Sequence, residues 1–337
     1  MLRRFVQVLG ILVALGLAAA VALPLLISPQ TVQPQGTARE AATPQSRFAT
    51  IPFLGTDGIE IHYLERPGPE GAAATPFLLL HGFTFNAFTW GPTLDAFAAR
   101  GRTVAYDQIP YGLSAKLAPG DWSEANPYAK ESAIAQVFAV MDALGLPKAI
   151  LVGNSSGGTL ALEAALAQPQ RVAGLILVAP LVYVPRPGLP TWVESLPQAQ
   201  RLALYIGRRL GDPTLVRHSY AHPERVTPER QALATIHTRL ADWDLAWGAL
   251  LDRSLSSPVT VSQHLAQIAQ PTLVVTGDTD KLVKVEDSRR VAEALPHGTF
   301  AMLPDCGHAP QEECPAAFMQ TVADWLNGAR GPGRGAP

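Results

Sequence analysis

A serine lies in a glycine-rich turn that follows a strongly apolar segment. AILVG (149–153) predicts a buried strand, GNSSGG (153–158) follows, and TLALEAALAQ (159–168) predicts a helix. A tight turn between strand and helix needs glycine where the two approach closely, and it exposes the Ser155 hydroxyl. Ser155 is therefore a candidate nucleophile. An ordinary βα turn and a phosphate-binding loop are the alternatives.

A serine nucleophile needs a base to take its proton and an acid to orient that base. Asp278 and Asp280 follow the apolar run TLVVTG (272–277), and His308 lies in a loop after the last predicted strand. Ligands bind at the carboxyl ends of strands in open α/β sheets. We therefore predict His308 as general base and prefer Asp280 to Asp278 as its orienting acid. A solvated turn aspartate and a structural loop histidine are the alternatives.

Main-chain donors for a developing oxyanion are predicted from two loops. His81-Gly82-Phe83 ends the strand-like run PFLLL (76–80). A loop there can turn the Phe83 N–H toward the point that the Ser156 N–H faces at a helix N-terminus. Two donors aimed at one oxygen form an oxyanion hole. His81 itself is predicted to be structural.

The segments that would position these residues alternate between strands and helices. Runs of Val, Ile and Leu are typical of strands buried on both faces of a largely parallel sheet. One helix is predicted to open at Asn126-Pro127 and to run to Leu144. The alternation predicts an α/β fold. The remaining strand-like runs are 59–65, 102–107, 174–179 and 299–304, and further helices are predicted at 286–295 and 315–326.

The alternation breaks once, between GLILVA (174–179) and TLVVTG (272–277). A proline-rich stretch is followed by helical patterns and by no convincing strand. We therefore predict a helical insertion in the α/β domain. It contains Trp192, Trp243 and Trp247, half of the six tryptophans of the chain. The helical patterns lie near 198–210, 213–220, 228–240 and 243–251.

These motifs together resemble the α/β-hydrolase fold family, in the form that carries a helical cap. The resemblance implies a mostly parallel sheet of about eight strands flanked by helices, with the cap between strands six and seven. It also implies Ser155 as nucleophile, His308 as general base and Asp280 as the acid that orients it. The matching segments, in family order, are HGF (81–83), DQIPYGLS (107–114), GNSSGG (153–158), GDTD (277–280) and GHAPQEECP (307–315).

The resemblance further implies that the Phe83 and Ser156 N–H groups form the oxyanion hole. Pro110 is a departure, because many relatives carry glycine there, and we expect that loop to differ. Dehalogenases and epoxide hydrolases of this family have aspartate as the nucleophile, so Ser155 argues against both. Ala179 stands where some members place the acid of the triad, which favours Asp280.

The chain begins with a long apolar segment, 5–27, that carries no charge. It is long enough to span a hydrocarbon core of roughly 30 Å at 1.5 Å per residue. Two arginines precede it and no basic residue follows until Arg39, so the remaining chain is predicted outside the cytoplasm. Residues 1–27 are thus predicted to be a transmembrane signal-anchor. A signal peptide cleaved near Ala20, with secretion, is the alternative.

The remaining boundaries follow from composition. Residues 28–50 are rich in Pro, Gln, Thr and Ala without apolar periodicity and predict a flexible linker. The hydrolase core is predicted to comprise 51–182 and 266–327, and the helical cap 183–265. The Gly- and Arg-rich tail 328–337 is predicted to be disordered.

Composition excludes several classes of protein. The chain has 337 residues, of which 47% are apolar and 16% charged, with a formal net charge of −2. A strongly basic nucleic-acid binder and a disordered chain are both excluded. Cys306 and Cys314 form no CxxC pair. They could form a disulfide outside the cytoplasm, although two free thiols are slightly favoured because sequence does not give their separation.

The sequence predicts a carboxylesterase-like enzyme that cleaves a small or medium apolar ester through an acyl-enzyme. No metal constellation, dinucleotide fingerprint or P-loop lysine is present, so no cofactor or metal is predicted. A C–C bond hydrolase of ring-cleavage products, a lactonase and an amidase are alternatives. A catalytically silent membrane-tethered binding protein is the alternative from another class. The predicted pocket residues, for which core packing is the alternative, are Phe85, Tyr183, Trp192 and Trp243.

Overall fold

The computed structural model describes residues 2–70, 74–183, 189–254 and 257–328. The strands are β1 (Ser46–Ile51), β2 (Ile59–Arg66), β3 (Phe77–Leu80), β4 (Thr103–Tyr106), β5 (Ala149–Asn154), β6 (Val172–Val178), β7 (Thr272–Gly277) and β8 (Gly298–Leu303). Within the described residues they form one eight-stranded sheet in the order β1-β2-β4-β3-β5-β6-β7-β8. Strands β3 to β8 are parallel, and β1 and β2 add an antiparallel edge.

Helices cover both faces of the sheet and make a three-layer core. They are α1 (Leu2–Ala22), α2 (Ala38–Ala41), α3 (Gly91–Ala98), α4 (Lys130–Ala143), α5 (Ser156–Ala167), α6 (Pro197–Arg209), α7 (Pro228–Ala234), α8 (Trp243–Ser254), α9 (Val285–Ala294), α10 (Pro310–Glu313) and α11 (Pro315–Asn327). One face of the sheet packs against α4, α5 and α9, and the other against α3 and α11. Every residue of β3, β4, β5 and β7 is buried. Because these strands are buried on both faces, their sequences are uninterrupted apolar runs.

The segment predicted as a flexible linker, 28–50, is ordered by contacts with the rest of the chain, so that prediction is wrong. Its last residues belong to β1, which pairs with β2 at the edge of the sheet. A capping box between Thr37 and Glu40 opens α2. The Arg239 carbonyl accepts hydrogen bonds from the main-chain N–H groups of residues 35 and 36. A half-exposed edge strand with polar residues gives too weak a pattern to be predicted from sequence.

The insertion between β6 and β7 is helical, as predicted. Among its described residues, 189–254 and 257–265, the α-helices are α6, α7 and α8, and the pattern predicted at 213–220 forms a single 3₁₀ turn, Leu215–Ser219. Helices α6 and α8 approach closely because glycines face each other at their crossing. A Cβ on Gly207 would lie 3.2 Å from the Trp247 Cβ, and one on Gly248 would lie 3.2 Å from the Leu204 Cα.

Helix α4 begins at Lys130, three residues after Pro127, which the sequence predicts as its first residue. Asn126 does cap a main-chain N–H, because its Oδ1 accepts a hydrogen bond from Tyr128 N at 2.9 Å. That bond closes an isolated turn, and Ala129, the N-cap residue of α4, is still extended with φ −66° and ψ 151°. The side chain of Asn126 therefore marks a turn before the helix.

Helix α1 continues into a 3₁₀ turn, Leu23–Leu26. Residues Gln7–Leu26 have a mean hydropathy of 2.6, and none of that segment is buried in the protein. The helix is therefore long and apolar enough to cross a bilayer, which fits an anchor and a signal sequence alike. The predicted disordered tail lies outside the described residues except for Gly328.

Candidate active site

Ser155 lies in the sharp turn between β5 and α5. Its backbone has φ +54° and ψ −118°, a strained conformation for a residue with a side chain. Its N–H donates to Val178 O at 2.8 Å, which fixes the turn to β6. A Cβ on Gly153 would lie 2.4 Å from Gly157 O, and one on Gly157 would lie 2.4 Å from Leu80 O. The glycines around Ser155 are thus required by close main-chain approach.

His308 and Asp280 are brought together from the loops after β8 and β7. Asp280 Oδ2 lies 2.8 Å from His308 Nδ1, and both side chains are almost completely buried. The second oxygen, Oδ1, accepts hydrogen bonds from Leu282 N at 2.8 Å and Val283 N at 3.0 Å. The carboxylate is therefore held in one orientation toward the imidazole. Asp278, the other candidate, bonds Thr279 and lies outside this pair.

The two predicted oxyanion donors, the Phe83 and Ser156 N–H groups, belong to chain segments next to Ser155. Residue Gly82 packs directly on it, since a Cβ there would lie 3.0 Å from the Ser155 Cβ. Ser156 is the first residue of α5. Within the described part of the chain, neither the Phe83 N–H nor the Ser156 N–H bonds an acceptor. Both N–H groups are available to a ligand that reaches Ser155.

His81 is a structural residue, and the structure gives the reason. Its Nε2 accepts the main-chain N–H of Gln108 at 3.0 Å, and its Nδ1 lies 2.8 Å from Gly82 O. That pattern requires a neutral imidazole with its proton on Nδ1. Burial lowers the pKa of His81, which favours the same neutral form. His81 thereby joins the loop after β3 to the loop after β4.

Asp107 anchors the loop in which Pro110 departs from the family pattern. Its buried carboxylate accepts hydrogen bonds from Ala87 N and Leu113 N, both at 2.6 Å, and lies 2.7 Å from His62 Nδ1. Burial opposes ionisation, but the neighbouring His62 and the Ala87 N–H outweigh it and lower the pKa of Asp107 to about 2. The Asp107 carboxylate therefore holds the loops after β3 and β4 together beneath the site.

A cavity of about 590 Å³ opens above Ser155 and His308. Its wall is mostly apolar and aromatic. The lining residues come from the carboxyl ends of the strands, with the loops that follow them, and from the helical insertion. Lys130 and Glu163 form a charged pair in that wall, with 3.6 Å between Nζ and Oε1. The cavity is large enough for a medium-sized organic molecule. Its main apolar lining residues are Phe83, Phe85, Tyr106, Tyr111, Tyr128, Leu160, Leu181, Leu215, Leu250 and Leu251.

Comparison with known proteins gives the family. A sequence model described as the alpha/beta hydrolase fold matches residues 75–315, which is more than half of the chain. The chain belongs to the α/β-hydrolase fold family. A 2-hydroxy-6-oxononadienedioate/2-hydroxy-6-oxononatrienedioate hydrolase of Paraburkholderia phymatum is 28% identical to this α/β hydrolase, over 86% of this chain and 98% of the relative.

Two further similarities show how varied the chemistry of the relatives is. A protein of Variovorax paradoxus that is provisionally named a carbamate hydrolase is 30% identical to this hydrolase, over 81% of this chain and 98% of the relative. The solved structure of Est816, described as an N-acyl homoserine lactone degrading enzyme, is 26% identical with a TM-score of 0.61. It covers 82% of this chain and 100% of its own. The chain is therefore a hydrolase, and the relatives differ in the bond they cleave.

Three of the four predicted pocket residues lie outside the cavity of this hydrolase. Phe85 lines it. Tyr183 instead packs against Arg290, whose guanidinium carbon lies 4.0 Å from the ring centroid. Trp192 is 62% exposed on the outer surface, and Trp243 is buried in a cluster with other aromatic residues. The direction in which each tryptophan points depends on helix packing, which the sequence pattern does not give.

The His308 loop has supports that sequence reasoning missed. Asn154 Nδ2 donates to His308 O at 3.1 Å, and His308 N donates to Ser219 O at 2.7 Å. Glu313 is buried and accepts the N–H of Gly307 at 2.8 Å and that of Ala221 at 2.9 Å. The loop is therefore tied both to the turn that holds the serine and to the insertion. The paired glutamates 312 and 313, four residues beyond the glycine–histidine pair, were the available signal.

The cysteines flank this loop and are joined. The structure places Cys306 and Cys314 in a disulfide, with 6.2 Å between their Cα atoms, so the preference for two free thiols is wrong. That Cα separation lies within the range a disulfide requires. The short helix α10 folds the chain back, which brings the two cysteines together and could not be read from their spacing. The disulfide closes the segment that carries His308.

Proposed function

We propose that this chain is a serine hydrolase that cleaves a carboxylic ester through an acyl-enzyme. The observation that carries the proposal is the 2.8 Å contact between Asp280 and His308, with His308 and Ser155 lining one cavity. In this proposal Ser155 is the nucleophile, His308 the general base and Asp280 the acid that orients it. The strained turn, the buried carboxylate and the available main-chain donors support the same assignment.

The proposed reaction has two steps. Ser155 Oγ attacks the ester carbonyl while His308 Nε2 takes its proton, and the carbonyl oxygen becomes an oxyanion that the Phe83 and Ser156 N–H groups bind. The protonated His308 then gives that proton to the leaving alcohol, and the acyl group remains on Ser155. Water, deprotonated by His308, hydrolyses the acyl-enzyme and restores the serine. Asp280 keeps the His308 proton on Nδ1, so that Nε2 can act as the base.

The cavity favours a neutral, medium-sized substrate. Its single described lysine, Lys130, is neutralised by Glu163, so the wall offers no spare positive charge for an acid. Glu163 lies about two turns beyond Ser155 on α5, roughly 12 Å along the helix axis. An acyl or alcohol group of up to that length would lie against apolar wall before it reaches the charged pair. The similarity to a lactone-degrading enzyme supports an ester of this kind.

Cleavage of a C–C bond in a ring-cleavage product is the second candidate. It is favoured by the similarity, over 86% of this chain, to a hydrolase of 2-hydroxy-6-oxononadienedioate. A dienedioate carries two carboxylates, and a cavity whose one described lysine is already paired is poorly suited to them. Because the described part of the cavity wall offers no unpaired lysine to bind a carboxylate, we rank the neutral ester above this candidate.

We further propose that α1 is a signal-anchor that holds the hydrolase on a membrane, with the catalytic domain outside the cytoplasm. The uncharged segment 5–27, the absence of buried residues within Gln7–Leu26 and the two arginines at positions 3 and 4 support this topology. A cleaved signal is the competing proposal. Carbonate washing of membranes from cells that express the full chain tests it: a full-length anchored protein stays in the pellet, and a shortened soluble one does not.

A substrate panel on the full-length protein tests the catalytic proposal. The panel contains p-nitrophenyl esters of increasing acyl length, a p-nitrophenyl carbamate, an acyl lactone and a vinylogous 1,5-diketone acid. We expect the neutral esters to be cleaved with the highest kcat/KM, and Ser155→Ala to abolish that turnover. Preferred cleavage of the diketone acid would favour the second candidate. Undiminished ester cleavage by Ser155→Ala would exclude Ser155 as the nucleophile.

A further inference from the structure

One exposed apolar surface is concentrated in the helical insertion. Of the nine large apolar side chains that the described residues expose beyond residue 50, six lie between Leu189 and Ile206. We name this set the α6 face. Its members are Leu189, Trp192, Leu196, Leu202, Tyr205 and Ile206, with exposures between 37% and 62%. The surfaces of soluble proteins seldom concentrate apolar side chains in this way unless the patch contacts another protein or a membrane.

The direction of this face is fixed by the packing of α6. Ala203, Leu204 and Gly207 are the buried residues of α6, and they pack against α8. The close approach at Gly207 leaves no room for α6 to rotate. Leu202, Tyr205 and Ile206 are spaced so that they share the opposite side of the helix. The outward direction of these side chains is therefore a stable property of the fold.

Helix α6 also contacts the segment that directly follows α1. The turn Leu23–Leu26 packs against α6. Arg201 Nη1 donates to Ile27 O, and Arg208 Nη1 donates to Ser28 O at 3.1 Å. If α1 spans a bilayer, Ile27 lies at the surface of that bilayer. The contacts of Arg201 and Arg208 then place α6 at the same surface.

We infer that the α6 face docks on the lipid bilayer beside the anchor, so that the domain has a second, fixed contact with the membrane. The composition of the face fits the interfacial zone. Trp192 and Tyr205 are the residue types that concentrate at headgroup level. Arg209 is exposed, and its guanidinium carbon lies 5.3 Å from the Tyr205 ring centroid, where it can face lipid phosphates. Helix α6 carries no acidic residue.

Trp192 supplies a probe of this contact within the chain. It is the exposed tryptophan, since Trp90, Trp243, Trp247 and Trp325 are buried and Trp122 is partly buried. The full-length chain would be reconstituted into phosphatidylcholine vesicles with a minority of phosphatidylglycerol, with and without lipids brominated near the start of the acyl chain. Vesicle flotation establishes that the chain is bound. The signal of Trp192 is the difference between the wild type and Trp192→Phe.

We expect brominated lipid to quench most of the Trp192 signal, and the double substitution Leu202→Ser with Ile206→Ser to reduce that quenching. The matched control is Leu54→Ser. It removes an exposed apolar side chain that is distant in sequence from the α6 face, and it should leave the quenching unchanged. Hydrolysis of a soluble p-nitrophenyl ester should be the same in all of these variants, which separates this inference from the catalytic proposal.

Three results would overturn the inference. A chain that does not float with the vesicles lacks the membrane contact altogether. A Trp192 signal that brominated lipid leaves intact and aqueous acrylamide quenches would show that the α6 face lies in water. A signal that neither agent quenches, together with chemical cross-linking between chains, would show that a second copy of the protein covers the face.

Discussion

Replacing Asp280 by Asn tests the orientation of the His308 imidazole. In the structure Asp280 Oδ1 is held by two main-chain N–H groups, and Oδ2 faces His308 Nδ1 at 2.8 Å. In Asp280→Asn the amide oxygen can keep the main-chain bonds, so the amide NH₂ would face Nδ1. Two donors cannot face each other, and His308 should move its proton to Nε2. That tautomer cannot accept the proton of Ser155.

The expected cost of Asp280→Asn is large and falls on kcat. Forcing the wrong tautomer in a serine triad typically lowers kcat by about 10⁴-fold. At about 1.4 kcal/mol for each tenfold change, this corresponds to about 5.5 kcal/mol of lost transition-state stabilisation. KM for a p-nitrophenyl ester should change little, because Asp280 is not among the residues that line the cavity.

The assay is steady-state kinetics beside thermal unfolding, with Asp278→Asn as the matched control. Asp278 lies two residues away in the same loop and bonds Thr279, so its substitution should leave kcat within about threefold, the range of a changed surface interaction. The reasoning is refuted if folded Asp280→Asn keeps kcat within about tenfold of the wild type. It is also refuted if Asp278→Asn loses as much activity as Asp280→Asn.

Three other perturbations test the support of the site. Gly112→Ala should lower the free energy of unfolding by about 2–4 kcal/mol, because φ is +47° and the new Cβ would lie 1.9 Å from Asp107 Oδ2; Gly145→Ala, with φ +65° and open space, should cost only about 1 kcal/mol. Asp107 has its pKa lowered from 3.8 to about 2, so its stabilising contribution is complete above pH 4 and is lost as the pH falls toward 2. Urea unfolding of the wild type should therefore lose about 2 kcal/mol more than that of Asp107→Asn across that window, and equal losses would contradict the assignment. Replacing Cys306 and Cys314 together by Ser should cost about 2.5 kcal/mol, from closure of a loop with a sequence separation of 8; dithiothreitol should lower the Tm of the wild type and leave that of the variant unchanged.

Local chemistry explains why the central residues could be predicted from the sequence. The turn around Ser155 demands glycine at fixed offsets, because a Cβ at those positions would lie within about 2.4 Å of main-chain atoms. Asp280 follows β7, whose apolar run is buried throughout, and His308 follows the shorter apolar run of β8, which is only partly buried. Such constraints act over a few residues and therefore leave a readable pattern. The strands of the parallel sheet were predictable for the same reason.

Long-range packing explains what could not be predicted. Residues 28–50 have the composition of a linker, yet Asp244, more than two hundred residues later, accepts hydrogen bonds from Thr31 Oγ1 and Val32 N. Trp192 and Trp243 share a segment with cavity-lining residues, yet Trp192 lies exposed in a turn before α6 and Trp243 packs in an aromatic cluster, so neither lines the cavity. None of these contacts leaves a periodic signal in the sequence.

Labelling with a fluorophosphonate tests the central proposal most directly. The reagent phosphonylates a serine whose hydroxyl is activated by a neighbouring base. Peptide mapping by mass spectrometry should find the label on Ser155 alone. The rate of ester hydrolysis should fall in proportion to the fraction of protein that is labelled. His308→Ala should remain folded and unlabelled. Label on another residue, or continued ester hydrolysis by fully labelled protein, would contradict the assignment of Ser155 as the nucleophile.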